Sequence, residues 1–156
     1  MRQGIGCLLL GMVCWAAGCQ TTTPTGSSHL ASVLVASRDV ARIEAALRAV
    51  LTANDYRERT LGNNRFVFER PGTQLNQAAH GGWLDDWVWE RVKGNLRKRD
   101  DQTTLVEMNA YMVRNRGDEV FEEEQRLWKV RAGPYQALLN EVKTRVESPG
   151  PVEAGD

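Results

Sequence analysis

Cysteine is scarce in this sequence and is confined to its N-terminal end. The 156 residues contain three cysteines, Cys7, Cys14 and Cys19, and none follows Cys19. Disulfides, cysteine nucleophiles and cysteine-ligated zinc are therefore excluded from the remainder of the chain. A domain without these cross-links has to be stabilised by its hydrophobic core.

Excess charge of either sign is also missing, and histidine is rare. Twenty basic residues balance twenty acidic ones, and the two histidines are His29 and His80. A balanced surface does not attract polyanions, so we expect no nucleic-acid partner. The sequence has no Gly-x-Ser-x-Gly elbow, no glycine-rich phosphate loop and no His-Glu-x-x-His motif. We therefore expect no cofactor, no metal site and no catalytic residue.

The longest uncharged apolar run, from Ile5 to Ala17, is too short for a membrane span of about 20 residues. Arg2 precedes the run, and the small residues Ala16-Ala17-Gly18 lead into Cys19, as in a secretory signal. This segment resembles the signal of bacterial lipoproteins, although Ala16 stands where that class usually has leucine. The alternative is ordinary secretion, with Cys19 incidental.

The resemblance implies that residues 1–18 are a signal peptide and that Cys19 is acylated. Each buried CH₂ of an acyl chain contributes about 0.8 kcal/mol, so two or three chains hold a protein firmly on a membrane. The implied location is the cell envelope. Gln20 implies the outer rather than the inner membrane, because aspartate at this place favours inner-membrane retention in two-membrane bacteria. Removal of 18 of the 156 residues leaves 138, enough for one domain.

Composition divides the remaining chain into three parts. Residues 19–29 are rich in Thr, Ser and Gly and have little to bury, which predicts a disordered tether. Residues 30–147 are predicted to form a single domain. Residues 148–156 begin with Ser148-Pro149-Gly150-Pro151 and are predicted to be a disordered, mildly acidic tail.

Two segments have apolar residues at helical spacing. The first predicts a helix from Arg38 to about Ala53, with Ser37 as its N-cap and Asn54 at its end. The second predicts a helix from Pro134 to about Glu147, since Pro134 suits the first helical turn. The predicted buried stripes are Val40, Ile43, Leu47, Val50 and Leu51 in the first helix, and Tyr135, Leu138, Leu139, Val142 and Val146 in the second.

Four segments are predicted to be strands, and Leu30–Ala36 is either a short strand or a lead-in to the first helix. The predicted order is helix, four antiparallel strands, helix, which indicates an α+β two-layer sandwich with both helices on one face of the sheet. The four predicted strands are Arg65–Glu69, Asp86–Arg97, Thr103–Asn115 and Asp118–Trp128.

Alternation along the strands predicts which side chains face the core. If Arg116-Gly117 is a two-residue turn, Met112 faces Phe121 and Ala110 faces Glu123 in the core. Val88, Val92 and Leu96 then also face the core, which turns Glu90 inward and sends Trp89 outward. The alternative is a β-bulge near Glu90 that swings the tryptophans inward.

Aromatic and charged side chains on the predicted outer face form the candidate binding site. Contiguous apolar surface on a soluble domain usually marks a binding site, so this face is interpreted as a groove for an envelope protein, a peptide or a glycan. The alternative is that the aromatic residues pack in the core. The candidate ligand-binding residues are Trp83, Trp87, Trp89, Arg91, Glu107 and Tyr111.

These patterns favour a lipid-anchored accessory or binding module of the envelope, without catalytic activity. Its partners are the membrane, through acylated Cys19, and an envelope component bound at the aromatic face. The alternative function is a small envelope enzyme that uses carboxylates or His80.

Overall fold

The structure is a computed structural model that describes residues 28–73 and 88–148. The predicted signal peptide with Cys19, the predicted loop with His80 and Trp83, Trp87 at the start of a predicted strand, and the tail beyond Ser148 lie outside these residues. The helices are α1 (Val40–Ala53) and α2 (Ala132–Glu147), and α2 follows a 3₁₀ turn at Lys129–Arg131. The strands are β1 (Ala31–Val35), β2 (Arg57–Gly62), β3 (Arg65–Pro71), β4 (Trp89–Lys98), β5 (Thr104–Arg114) and β6 (Glu123–Arg126).

The six strands form one antiparallel sheet in the order β1-β5-β4-β3-β2, and β6 also pairs with β5. One edge of β5 pairs with β4 from Thr104 to Val113. On its other edge, β1 pairs with residues 104–108 and β6 with residues 111–114. Strands β1 and β6 therefore lie end to end along β5, and Asn109 stands at their junction.

Both helices bury most of the apolar stripes expected from their periodicity, while the predicted Val40 and Leu138 are only partly buried. In α1 the buried residues are Ile43, Ala46, Leu47, Val50 and Leu51, and in α2 they are Tyr135, Leu139, Val142 and Val146. They join the sheet's inner side chains in one hydrophobic cluster. The predicted N-cap was wrong by two residues, because the Asp39 carboxylate, not Ser37, accepts from the Arg42 N–H.

The predicted architecture of a four-stranded sheet with both helices on one face is wrong, because the sheet has six strands. Leu30–Ala36 contains β1, and β2 was not predicted at all. The sequence of β2 is Arg-Glu-Arg-Thr-Leu-Gly, and none of its residues is buried. An exposed edge strand needs no apolar alternation, so it carries no pattern from which to predict it.

The predicted strand Asp118–Trp128 is mostly a loop, and only Glu123–Arg126 is extended. Positive φ angles at Asn115 (49°) and Gly117 (87°) turn the chain away from β5. A loop over residues 115–122 therefore replaces the predicted two-residue turn. Met112 pairs with Gln125 instead of Phe121, and Glu123 is exposed instead of facing the core.

Strand β4 has no bulge, which confirms the favoured arrangement of its faces. Its register with β5 is continuous from Trp89 to Lys98. Val88, Val92 and Leu96 are buried in the core cluster, so Glu90 faces the core. Arg91 faces the opposite side, which we call the outer face of the sheet.

Candidate functional site

The structure brings three of the six candidate binding residues together on the outer face. Arg91 and Tyr111 are directly paired across β4 and β5, and Trp89 lies at the start of β4. Glu107 is on the same face but pairs with Asn95, near the other end of these strands. Trp83 and Trp87 lie outside the described residues.

Arg91 is the centre of an ion-pair cluster. Only 6% of Arg91 is exposed. Its Nε donates to Glu69 at 2.5 Å, and its Nη1 donates to Glu122 at 2.6 Å and also to Glu124. We call this group the Arg91 cluster, and it also includes Lys93, which contacts Glu124, and Arg116, which contacts Glu69.

The pKa values of Arg91, Glu122 and Glu124 are shifted in the direction that favours their charged forms. The hydrogen bond from Arg91 and a second one from the Gly117 N–H lower the pKa of Glu122 to about 2. Burial raises the pKa of Glu124, but the hydrogen bonds from Lys93 and Arg91 outweigh it and the net pKa is lowered. Burial alone would lower the pKa of Arg91, but the hydrogen bonds with its three carboxylate partners leave this pKa raised. Each of these groups stabilises the ionised form of its partners.

Cations cover Trp89 and Tyr111, the two aromatic rings of the outer face among the described residues. The Arg116 guanidinium carbon lies 3.9 Å from the Trp89 ring centre, and Lys93 Nζ lies 5.1 Å from the Tyr111 ring centre. Such cation–π contacts contribute about 0.5–1 kcal/mol each at exposed sites. Both rings are half-buried, so they present little open apolar surface.

Glu107 is also paired within the protein. Its carboxylate lies 3.5 Å from Arg97 and 3.6 Å from His29, and it accepts from the Asn95 amide at 3.3 Å. Only 5% of Glu107 is exposed. The four described residues of the predicted groove therefore contribute mainly to the packing of the outer face.

A second cluster surrounds Glu90 on the core side of the same strand. Glu90 is 1% exposed. It accepts hydrogen bonds from the Tyr56 hydroxyl, from the Tyr135 hydroxyl at 2.8 Å and from Arg70 Nη2 at 3.1 Å. The Arg70 guanidinium also stacks over the Tyr56 ring at 4.4 Å and donates to the Asn54 carbonyl at 3.2 Å.

The Glu90 cluster connects four elements of the fold. Tyr56 follows α1, Arg70 lies on β3, Glu90 on β4 and Tyr135 on α2. Burial, reinforced by the Glu90 charge, raises the pKa of both tyrosines, which remain protonated donors. Because Glu90 accepts from three side chains, its lone pairs are occupied, as in a structural network. Alternation predicted an inward Glu90, but its partners are distant in sequence and were not predicted.

Among the residues that the structure describes, four large apolar side chains are exposed, and the sequence patterns assigned none of them to a site. They are Val120 (79% exposed), Phe121 (66%), Trp128 (77%) and Val130 (91%). Strand β6 separates the first pair from the second. Phe121 was predicted to face the core opposite Met112, which is wrong because Phe121 lies on the 115–122 loop and not on a strand paired with β5. The sequence feature that marks the second pair is Trp-Lys-Val-Arg at residues 128–131, before Gly133-Pro134. Trp128 had instead been assigned to the predicted strand Asp118–Trp128.

The loop that carries Val120 and Phe121 is held by hydrogen bonds. Asp118 Oδ1 accepts from the backbone N–H groups of Val120 and Phe121 at 2.9 and 3.1 Å. The Asn115 side-chain amide donates to the Phe121 carbonyl at 3.1 Å. Glu122 accepts from the Gly117 N–H at 2.9 Å and reaches Arg91 as well, which fixes the loop to the sheet.

The second exposed pair lies beside a shallow groove of about 330 Å³ at the junction of β1 and β6. Arg126 crosses this junction, since its Nη2 donates to the Asn109 side chain at 2.7 Å and to the Ser28 carbonyl. The residues that line the groove are Ser28, Leu30, Arg126, Leu127, Trp128 and Lys129.

No protein-family model matches the chain, and no curated protein matches it. Within residues 28–73 and 88–148, no helix is both long and apolar enough to cross a membrane. The same two ranges contain no group of three or more His, Cys, Asp or Glu residues that could hold a metal ion.

Proposed function

We propose that this chain is a lipid-anchored binding module of the cell envelope that presents Val120 and Phe121 to a partner protein. The observation that carries the proposal is that these two large apolar side chains are exposed on an ordered loop. Exposed apolar surface on a folded domain commonly marks an interaction site. A few anchor side chains, often aromatic, contribute most of the binding energy of protein interfaces, and Phe121 is the aromatic member of this pair.

The order of the loop supports a role in binding. A segment already held in its bound conformation loses little conformational entropy on association, which raises its affinity. Asp118 fixes the backbone of the exposed pair through two hydrogen bonds. Asp118, Glu119 and Glu123 are also exposed next to the pair. The expected partner surface is therefore an apolar pocket bordered by basic residues.

Two further observations support an anchored and non-catalytic module. The segment Ala16-Ala17-Gly18-Cys19 resembles a lipoprotein signal, which implies an acylated Cys19 and an envelope location, with Gln20 favouring the outer membrane. The buried carboxylates Glu69, Glu90 and Glu107 all contact cations or hydroxyl donors within the protein. Carboxylates whose partners lie within the protein are typical of structural networks.

The proposal is tested by fatty-acid labelling and by site-specific crosslinking in cells. We expect the wild type to take up a labelled fatty acid and Cys19→Ser to take up none. A photoreactive amino acid in place of Phe121 should give one discrete adduct with another protein, and Val120→Asp should abolish it. Thr60, exposed on the opposite sheet edge, is the control position and should give no such adduct. The same adducts from both positions would contradict the proposal.

A further inference from the structure

The second exposed surface has a composition different from that of the Val120–Phe121 loop. Trp128 and Val130 alternate with the exposed basic residues Lys129 and Arg131, next to the exposed Arg126. We call these five residues the Trp128 surface. The chain from Gln125 to Asn140 contains three basic residues and no acidic residue. The loop at the other end of β6, in contrast, contains the acidic residues 118, 119 and 122.

Alternating apolar and basic side chains match the chemistry of a bilayer surface. Tryptophan is enriched at the level of lipid headgroups, where an apolar ring with one polar group is favoured. Each Lys or Arg near an anionic membrane strengthens binding about fivefold. Both conditions are met within the four residues from Trp128 to Arg131, which are all exposed.

The Trp128 surface lies where the described chain begins. Arg126 donates to the Ser28 carbonyl, and the Leu30 N–H donates to Asn109 at 2.9 Å, so the start of the domain is fixed next to β6. Eight residues lie between Cys19 and Ser28, and the nine Cα–Cα steps extend at most about 32 Å. An acyl anchor at Cys19 therefore keeps this side of the domain close to the membrane.

We infer that the Trp128 surface docks on anionic phospholipid headgroups of the membrane that holds Cys19, an inference that rests on the proposed anchor. Trp128 and Val130 enter the headgroup region while Lys129 and Arg131 contact lipid phosphates. Because Val120 and Phe121 lie at the other end of β6, docking directs them away from the bilayer. The four residues of β6 alone separate the two ends by about 13 Å.

The test uses the processed, acylated protein purified from membranes and reconstituted into phosphatidylethanolamine vesicles with added phosphatidylglycerol. A benzophenone amino acid replaces Val130 or, as a matched control, Val120, an equally small apolar residue that is also exposed. We expect at least fivefold more lipid adduct from position 130 than from position 120. Lys129→Glu, or omission of phosphatidylglycerol, should reduce the adduct at position 130 about fivefold or more.

Three results would overturn the inference. They are equal lipid adducts from the two positions, no effect of Lys129→Glu, or an adduct from position 130 that contains only protein. If the chain takes up no fatty acid, the proposed anchor fails separately. Docking is then measured by sedimentation of the unacylated protein with the same vesicles. Binding that is lost in Trp128→Ala supports the docking inference, and absence of binding overturns it.

Discussion

Glu90 and Arg91 are neighbours on β4 that point to opposite faces of the sheet, and each is the centre of a polar cluster. Inside, one carboxylate accepts from one arginine and two tyrosine hydroxyls. Outside, one guanidinium donates to three carboxylates. The inner cluster connects both helices to the sheet, whereas the outer one connects the 115–122 loop to the sheet.

The two clusters limit the cost of buried charge in different ways. Glu90 accepts from two neutral hydroxyl groups and from one compensating cation, Arg70. Only these two charges, Glu90 and Arg70, are therefore removed from water. The Arg91–Glu69 pair is also buried, but the Arg91 cluster holds more charges. Its carboxylates Glu122 and Glu124 are about a quarter exposed, and Lys93 and Arg116 share the compensation. Removing a partner should therefore destabilise the protein more inside than outside.

Arg70→Met should have the largest effect. It removes the cation that pairs with Glu90 and should lower the free energy of unfolding by about 3 kcal/mol, the lower end of the range for a broken buried pair, since two hydroxyls remain. Chemical denaturation measures the change. Arg48→Met is the matched control, because its pair with Glu58 is exposed and should contribute little to stability. Equal effects of the two substitutions would contradict the distinction between buried and exposed pairs.

High pH should unfold the protein through the inner cluster. The folded-state pKa values of Tyr56 and Tyr135 are raised above the ordinary value of 10.0. A raised folded pKa gives stability that is present below pH 10 and lost above it, at about 1.4 kcal/mol per pH unit for each tyrosine.

The measurement is the ultraviolet absorbance of tyrosinate alongside circular dichroism. Two of the three tyrosines should ionise only as the helical signal disappears. Tyr56→Phe should reduce this linked step to one tyrosine. Ionisation of all three in the folded protein would show that the hydroxyls of the Glu90 cluster are accessible.

Arg91→Met should have an intermediate effect, about 1.5–3 kcal/mol, which is the range for hydrogen bonds to charged groups. Glu69 is buried but retains Arg116 at 2.7 Å and Arg59 at 3.7 Å, so it is not left unpaired. Lys93→Met, which removes a more exposed cation from the same face, is the control and should cost less. A loss for Arg91→Met larger than that for Arg70→Met would reverse the ranking of the two clusters.

Periodicity and alternation predicted the parts of the fold in which apolar residues determine the structure. Both helices and the faces of β4 follow from the spacing of buried residues, as with Val88, Val92 and Leu96. Strand β2 has no buried residue and gave no pattern. The prediction of the β5–β6 connection was wrong because Arg116-Gly117 resembles a two-residue turn. Asp118 and the left-handed backbone of Asn115 instead stabilise a longer loop.

For the candidate site, the sequence predicted only which face of the sheet each side chain points to. Alternation sent Arg91 and Glu107 to the outer face, where the structure places them. It did not reveal that Arg91 meets Glu69 from β3 and Glu122 from a distant loop, because such pairs depend on strand order. When the partners are unknown, an arginine in a buried ion pair and an arginine at the rim of a groove have the same sequence pattern.

The smallest effect should come from Glu122→Gln, and it concerns acid stability. The folded-state pKa of Glu122 is about 2, against an ordinary value of 4.5. A depressed folded pKa gives stability that is fully present above pH 4.5 and is lost as the pH falls towards 2. The variant lacks this term, so it should be less stable than the wild type at pH 7 and should approach it near pH 2.

Denaturation midpoints measured between pH 7 and pH 2 provide the test. Glu119→Gln is the control, because it removes an exposed carboxyl from the same loop without touching Arg91. It should keep the wild type's loss of stability in acid. If Glu122→Gln keeps that loss as well, the Arg91–Glu122 pair does not hold the loop in solution. The ordered display of Val120 and Phe121 would then lose one of its supports, while the Glu90 cluster would be unaffected.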